Sequence, residues 1–150
     1  MNKIIISDTS CLIALERIGQ LDILRRTFKV IIITQEVYQE FGNRLPDWII
    51  IKEVKNKEKQ KQLESFLDNG EASSIALATE IKNALLIIDE RKGREIAKTF
   101  NLEIIGTLGL LIKAKEKGVI SNLKDIVIEL IKSGFRVSDS IVNEILKDKD

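Results

Sequence analysis

The chain has no histidine, one cysteine (Cys11) and one proline (Pro46) in 150 residues. Without histidine there is no Ser-His-Asp triad and no imidazole ligand for a transition metal. A single cysteine makes no intrachain disulfide and no cysteine-based zinc site. A nucleophilic thiol needs a base beside it, commonly histidine, so Cys11 is expected to be a reduced, buried filler. Aromatic residues amount to 5%, and no stacking platform for nucleic-acid bases stands out among them. No apolar run reaches membrane-spanning length and no basic-then-apolar signal opens the chain. A cytoplasmic protein with no membrane partner is therefore expected. Neither sign of charge dominates, since 24 Lys and Arg against 23 Asp and Glu leave +1. Nucleic acid could then be held only by a local basic stripe, not by bulk charge.

What is present is a regular alternation of buried strands and amphipathic helices. Apolar residues make up 44% and charged residues 31%, the profile of a globular protein. The length suits one domain over residues 1–150. Ile4, Ile5 and Ile6 read as a strand buried on both faces, as do Val30 to Ile33 and Leu85 to Ile88. Residues 48–54 and 103–106 suggest two further strands, the first with no clear place in the sheet. Helices are expected over 11–18 with Ser10 as N-cap, 21–28, 34–41 ended by Gly42, and 71–81. More follow over 91–100, 107–117 and 122–132. The charge run 55–61 reads as a solvated helix start continuing to Leu67, with Asp68-Asn69-Gly70 ending it. Ser138 is a natural N-cap for a closing helix over about 138–147, with Val137 and Val142 placed as a hydrophobic staple. This order predicts an α/β fold: a mostly parallel central sheet of about four to five strands with helices on both faces.

Two of the buried strands end in an acid, Asp8 and Asp89. In a parallel sheet the carboxyl ends of the strands share one edge, where ligands of open α/β sheets bind. Both acids precede helices, so either could simply be an N-cap. Glu40 stands in the last turn of its helix, at the negative end of the macrodipole, where an acid is mildly unfavourable and a functional reason is expected. Glu36, one turn earlier, needs no such reason. Glu71 opens a helix, and the dipole alone could account for it. Glu90 is either a fifth acid or a first-turn helix residue. If Asp8, Glu40, Glu71 and Asp89 converge, their repulsion demands protonation or a cation. Oxygen-only ligands favour Mg²⁺ or Mn²⁺, and such a site hydrolyses a phosphodiester without histidine. Arg91, Arg94 and Lys98 line one helix face beside Asp89 and are candidate phosphate contacts, or a solvated face.

Five stretches, in this order, resemble the PIN-domain ribonucleases, and more narrowly the VapC-like toxins of toxin–antitoxin pairs. They are Ser7-Asp8-Thr9-Ser10, Val37-Tyr38-Gln39-Glu40-Phe41, Gly70-Glu71-Ala72-Ser73-Ser74-Ile75-Ala76-Leu77-Ala78, Leu86-Ile87-Ile88-Asp89 and Gly106-Thr107. The resemblance implies a three-layer PIN-like fold and an Mg²⁺- or Mn²⁺-dependent endoribonuclease, commonly a homodimer restrained by an antitoxin. It places the four acids on Asp8, Glu40, Glu71 and Asp89, with Ser10 or Thr9, and Thr107, as hydroxyl helpers. The chain departs from that family in two places. Glu71 stands where Asp is usual, and Ile87-Ile88 precedes the fourth acid where Thr-Asn is usual. Those departures leave a second reading open, a PIN-fold binding protein with little catalysis. A phosphoacceptor of the receiver or haloacid-dehalogenase type fits poorly. The phosphatase class wants an acid where Ser10 stands, and the receiver class wants a lysine after the last strand.

Overall fold

Runs of β-branched residues build the centre of the computed structural model, which describes residues 3–147 and side chains as far as residue 144. The strands are β1 (Ile4–Ser7), β2 (Val30–Thr34), β3 (Ile49–Lys52), β4 (Ala84–Ile87) and β5 (Glu103–Ile105). They form one sheet in the order β3-β2-β1-β4-β5, and every pairing is parallel. The expected third strand is real but shorter than residues 48–54. It is an edge strand, which explains why the sequence left its place open: Ile50 and Ile51 are exposed.

Alternation along each strand feeds two cores. Ile5, Ile31, Ile33, Leu85 and Ile87 face one side. There they pack on α1 (Thr9–Arg17), α2 (Ile23–Thr27), α7 (Thr107–Glu116) and α8 (Leu123–Lys132) through Leu12, Leu15, Leu24, Leu110 and Leu130. Ile6, Ile32, Leu86 and Ile88 face the other side. Their partners there are Leu63 of α4 (Lys57–Glu64), Ile75 of α5 (Asn69–Glu80) and Ala97 of α6 (Arg91–Thr99). A strand covered on both faces reads as a continuous apolar run, which is how the central strands were recognisable. Each such side chain contributes about 1.5–3 kcal/mol on full burial. Helix α3 (Gln35–Phe41) starts on Thr34, whose hydroxyl accepts from Val37 N–H, and ends on the left-handed Gly42. The last helix is α9 (Asp139–Lys147), where Ser138 Oγ accepts from Ile141 N–H.

Two expected boundaries are corrected. Asp68-Asn69-Gly70 does not end a helix. α4 stops at Glu64, and Asp68 is the N-cap of α5, its carboxylate accepting from Glu71 N–H. Ser10 is not the cap of α1; Asp8 is. The first helix begins directly at the strand end, so the extended backbone a cap requires falls on Asp8 (φ −76°, ψ 173°) and leaves Ser10 inside the first turn.

Strand order reverses at β1. The chain runs outward through β2 and β3 on one side, and through β4 and β5 on the other. Ser7 pairs with Ile87, so the carboxyl ends of β1 and β4 open side by side into the crevice of the topological switch point.

Candidate active site

Asp8 leaves β1 at that crevice and is only 2% exposed. Its two oxygens are divided: Oδ1 accepts from Cys11 N–H at 3.0 Å, and Oδ2 accepts from Asp89 N–H at 3.3 Å. Capping therefore occupies one oxygen and leaves the other turned toward β4. Burial first, and then the charge of the neighbouring Asp89, push this carboxyl up to about 8 against the two backbone N–H groups. An acid so placed holds a proton at neutral pH unless a positive charge replaces it.

A cavity of about 430 Å³ opens beside it, lined by Asp8, Thr9, Ser10, Glu40, Asp68, Glu71 and Glu90 together with Ile13. Glu40 reaches it from the last turn of α3, where the dipole disfavours an acid. The compensation lies in two donors: Thr9 Oγ1 donates to Oε1 at 2.6 Å, and Gly70 N–H donates to Oε2 at 3.3 Å. Glu71 enters from the first turn of α5. Its Oε2 is buried with no hydrogen-bond partner, and burial with the Asp68 and Glu90 charges pushes its carboxyl up to about 7. Glu90 is the N-cap of α6, yet its side chain makes no capping bond and borders the cavity instead. Glu36 accepts from Gln60 Nε2, so it is held by α4, away from this group.

Asp89 is turned the other way. Thr107 N–H donates to its Oδ1 at 2.8 Å and Thr107 Oγ1 donates to its Oδ2 at 2.6 Å, which fastens it to the start of α7. It lines the adjoining hollow, not the one shared by Asp8, Glu40 and Glu71. Among the described residues no three acidic side chains stand close enough to grip one ion as they are placed. The acids share an edge, not a single point.

The basic face on α6 divides. Arg94 turns inward, where Nη1 donates to Ile88 O at 2.9 Å, beside Asp89. Arg91 is exposed and pairs with Glu95, and Lys98 is exposed in the last turn of the helix.

Glycine makes room for three of the acids. A Cβ on Gly70 would fall 2.1 Å from Glu40 Oε1, one on Gly93 3.1 Å from Glu71 Oε2, and one on Gly106 2.9 Å from Asp89 Oδ1. Residue patterns alone read Gly70 as a helix stop and Gly106 as the end of a strand, and gave Gly93 no role. Asp68 was missed as a member of the acidic group because its pattern was taken for a helix end. Cys11 is fully buried and its thiol is pushed well above its ordinary range by burial, as expected of an inert filler.

The donor set suits a hard divalent cation. It is all oxygen, it includes a buried carboxylate oxygen without a partner, and it holds an acid that burial would otherwise protonate. Among the described residues no helix is long and apolar enough to cross a membrane.

A family model for the PIN domain matches residues 4–150. No curated protein and no solved structure matches the chain. That match covers nearly the whole sequence, and the parallel sheet flanked by helices on both faces is the three-layer α/β fold the motifs led one to expect. The chain belongs to the PIN-domain family.

Proposed function

We propose that the protein is a metal-dependent endoribonuclease and the toxin component of a toxin–antitoxin pair, in the manner of VapC-like proteins. PIN domains are generally nucleases that use divalent metals, and family membership supports hydrolysis of nucleic acid at this level. The metal-dependent reading is supported by the pairing of a buried Asp8 with a partnerless Glu71 Oε2 in one cavity at the switch point, and the toxin ribonuclease reading by the sequence resemblance. Drawn together from their present places along one edge, Asp8, Glu40, Glu71 and Asp89 would hold Mg²⁺ or Mn²⁺. When bound, the ion supplies a water of lowered pKa and positive charge for the phosphodiester oxygens.

The remaining roles fall to side chains. Thr9 and Gly70 N–H fix the Glu40 carboxylate, and Thr107 fixes Asp89. Glu71 Oε2, buried in the cavity without a partner, is the carboxylate oxygen most open to the ion or to its water. Ser10 and Glu90 border the same cavity as further polar contacts. Arg94, with Arg91 and Lys98 on the same helix, would meet substrate phosphates. The closing helix, residues 138–147, is the proposed contact for a second copy or an antitoxin. The cytoplasm is the proposed compartment.

Purified protein with Mn²⁺ should cleave RNA, and Asp8→Asn should abolish cleavage; an unaffected variant would overturn the site. Asp89 being fastened to Thr107 favours one second reading, a PIN-fold nucleic-acid- or partner-binding protein with little catalysis. A protein that takes up no Mn²⁺ at millimolar concentration, yet still binds RNA, would support that reading.

A further inference from the structure

The acidic cavity is the first of three adjoining hollows along the carboxyl edge of the sheet. It shares Ser10, Ile13 and Glu90 with a hollow of about 340 Å³ that adds Arg17 and Arg136. That hollow in turn shares Asp89, Phe135 and Arg136 with a third of about 520 Å³, which Arg94 also lines. The first hollow of this trough is lined by acids without a cation, whereas the next two set Arg17, Arg94 and Arg136 beside Asp89 and Glu90. The segment between α8 and α9 brings Phe135 and Arg136 there.

Neither Arg17 nor Arg136 has an ion-pair partner among the described residues, and both are exposed. Arg17 ends α1, where the helix dipole accounts for a cation. Arg136 lies outside any helix, so the dipole explains nothing about it. Phe135 is half-buried against the core and borders both outer hollows. A ring fixed by packing at its back and open to a trough is what a base stacks upon. Gly134 (φ 107°) turns the chain beside Arg17: a Cβ there would lie 3.8 Å from Arg17 Nη1.

We propose that Arg17, Arg136 and Phe135 form subsites for the nucleotides next to the cleaved bond, gripping a single RNA strand by two phosphates and one stacked base. This rests on the ribonuclease reading for the position of the cleaved bond, but the grip itself needs no metal. A separate basic hollow on the opposite edge, lined by Lys29 and Lys113, shares no residue with the acidic cavity or with the hollow of Arg17 and serves as the control surface.

The test is binding of a fluorescently labelled single-stranded oligoribonucleotide to the full chain, in an Asp8→Asn background with EDTA, across a salt series. Arg17→Ala and Arg136→Ala should each weaken binding about three- to tenfold at low salt. Each should also flatten the slope of log Kd against log salt by about 0.7. Phe135→Leu keeps the apolar packing and should weaken binding about tenfold with the slope unchanged. Lys29→Ala with Lys113→Ala should leave both quantities alone. Unchanged affinity and slope in both arginine variants, or losses confined to the Lys29 and Lys113 variants, would overturn the proposal. If the arginine variants behave as expected while wild-type protein with Mn²⁺ cleaves nothing, the ribonuclease reading fails and the strand subsites stand. If wild type cleaves and neither arginine variant changes KM or binding, the subsites fail and the ribonuclease reading stands.

Discussion

Replacing Asp8 by Asn should make the metal-free protein more stable, although it removes a central residue of the site. Asp8 is nearly fully buried, and its carboxyl is raised from 3.8 to about 8. A raised acid means the folded state binds more protons than the unfolded state between those two values, so stability falls as pH rises through that window. Below 3.8 both states are protonated and the penalty vanishes. At pH 7 the part of the window already crossed corresponds to a ceiling of about 4 kcal/mol, at 1.36 kcal/mol per pH unit. Asn carries no such penalty, and its Oδ1 can still cap α1 by accepting from Cys11 N–H. Its amide nitrogen cannot accept from Asp89 N–H, which costs about 1–2 kcal/mol. The net gain is at most about 2–3 kcal/mol at pH 7, or at most about 5–10 °C in Tm for a chain of this size. Thermal unfolding in EDTA from pH 4 to pH 8 measures it. Glu71, raised to about 7, adds a slope of the same sign, so Asp8→Asn should flatten the wild-type pH dependence without abolishing it. Equal or lower Tm of the variant at pH 7, with a gap to wild type that does not narrow toward pH 4, would refute the reasoning.

Further outcomes follow from the surroundings of the acids. Gly70→Ala places a methyl where Glu40 Oε1 now sits, and that carboxylate is the flexible end of its side chain. Stability should change by less than about 1 kcal/mol, while RNA cleavage should fall at least about tenfold; parallel melting and cleavage assays separate the two. Thr107→Val removes the buried donor to Asp89 Oδ2, and chemical denaturation should show a loss of about 1–2 kcal/mol. Cys11 should resist a thiol reagent in the folded protein and react only on unfolding, which a stopped colorimetric assay reads directly. Ile6→Ala empties a fully buried position at the centre of the sheet and should cost about 2–5 kcal/mol by denaturant titration.

The sheet was legible because its central strands are covered on both faces and so print as unbroken runs such as Ile4-Ile5-Ile6 and Leu85-Leu86-Ile87-Ile88. The edge strand β3 was not, since three of its four residues face water and its limits depend on pairing with β2. Glu40 was legible as a violation of the helix dipole, and its compensation came from Thr9 and Gly70, which lie 31 and 30 residues away along the chain. No local pattern could supply that. Asp68 was obscured because Asp-Asn-Gly closes one helix as readily as it opens the next. The direction of Asp89 depends on Thr107, 18 residues further on, and only the meeting of β4 with the start of α7 decides it. Phe135 reads as one more scattered aromatic until the chain turns at Gly134 and brings it to the trough.

Uptake of Mn²⁺ by the metal-free protein, followed by loss of the free-ion electron paramagnetic resonance signal, tests the central claim most directly. Wild type should take up the ion below millimolar concentration, with Asp8→Asn and Glu71→Gln each folded and each losing most of that uptake. Undiminished uptake in both variants, or none in the wild type, would contradict a cation site built on Asp8 and Glu71.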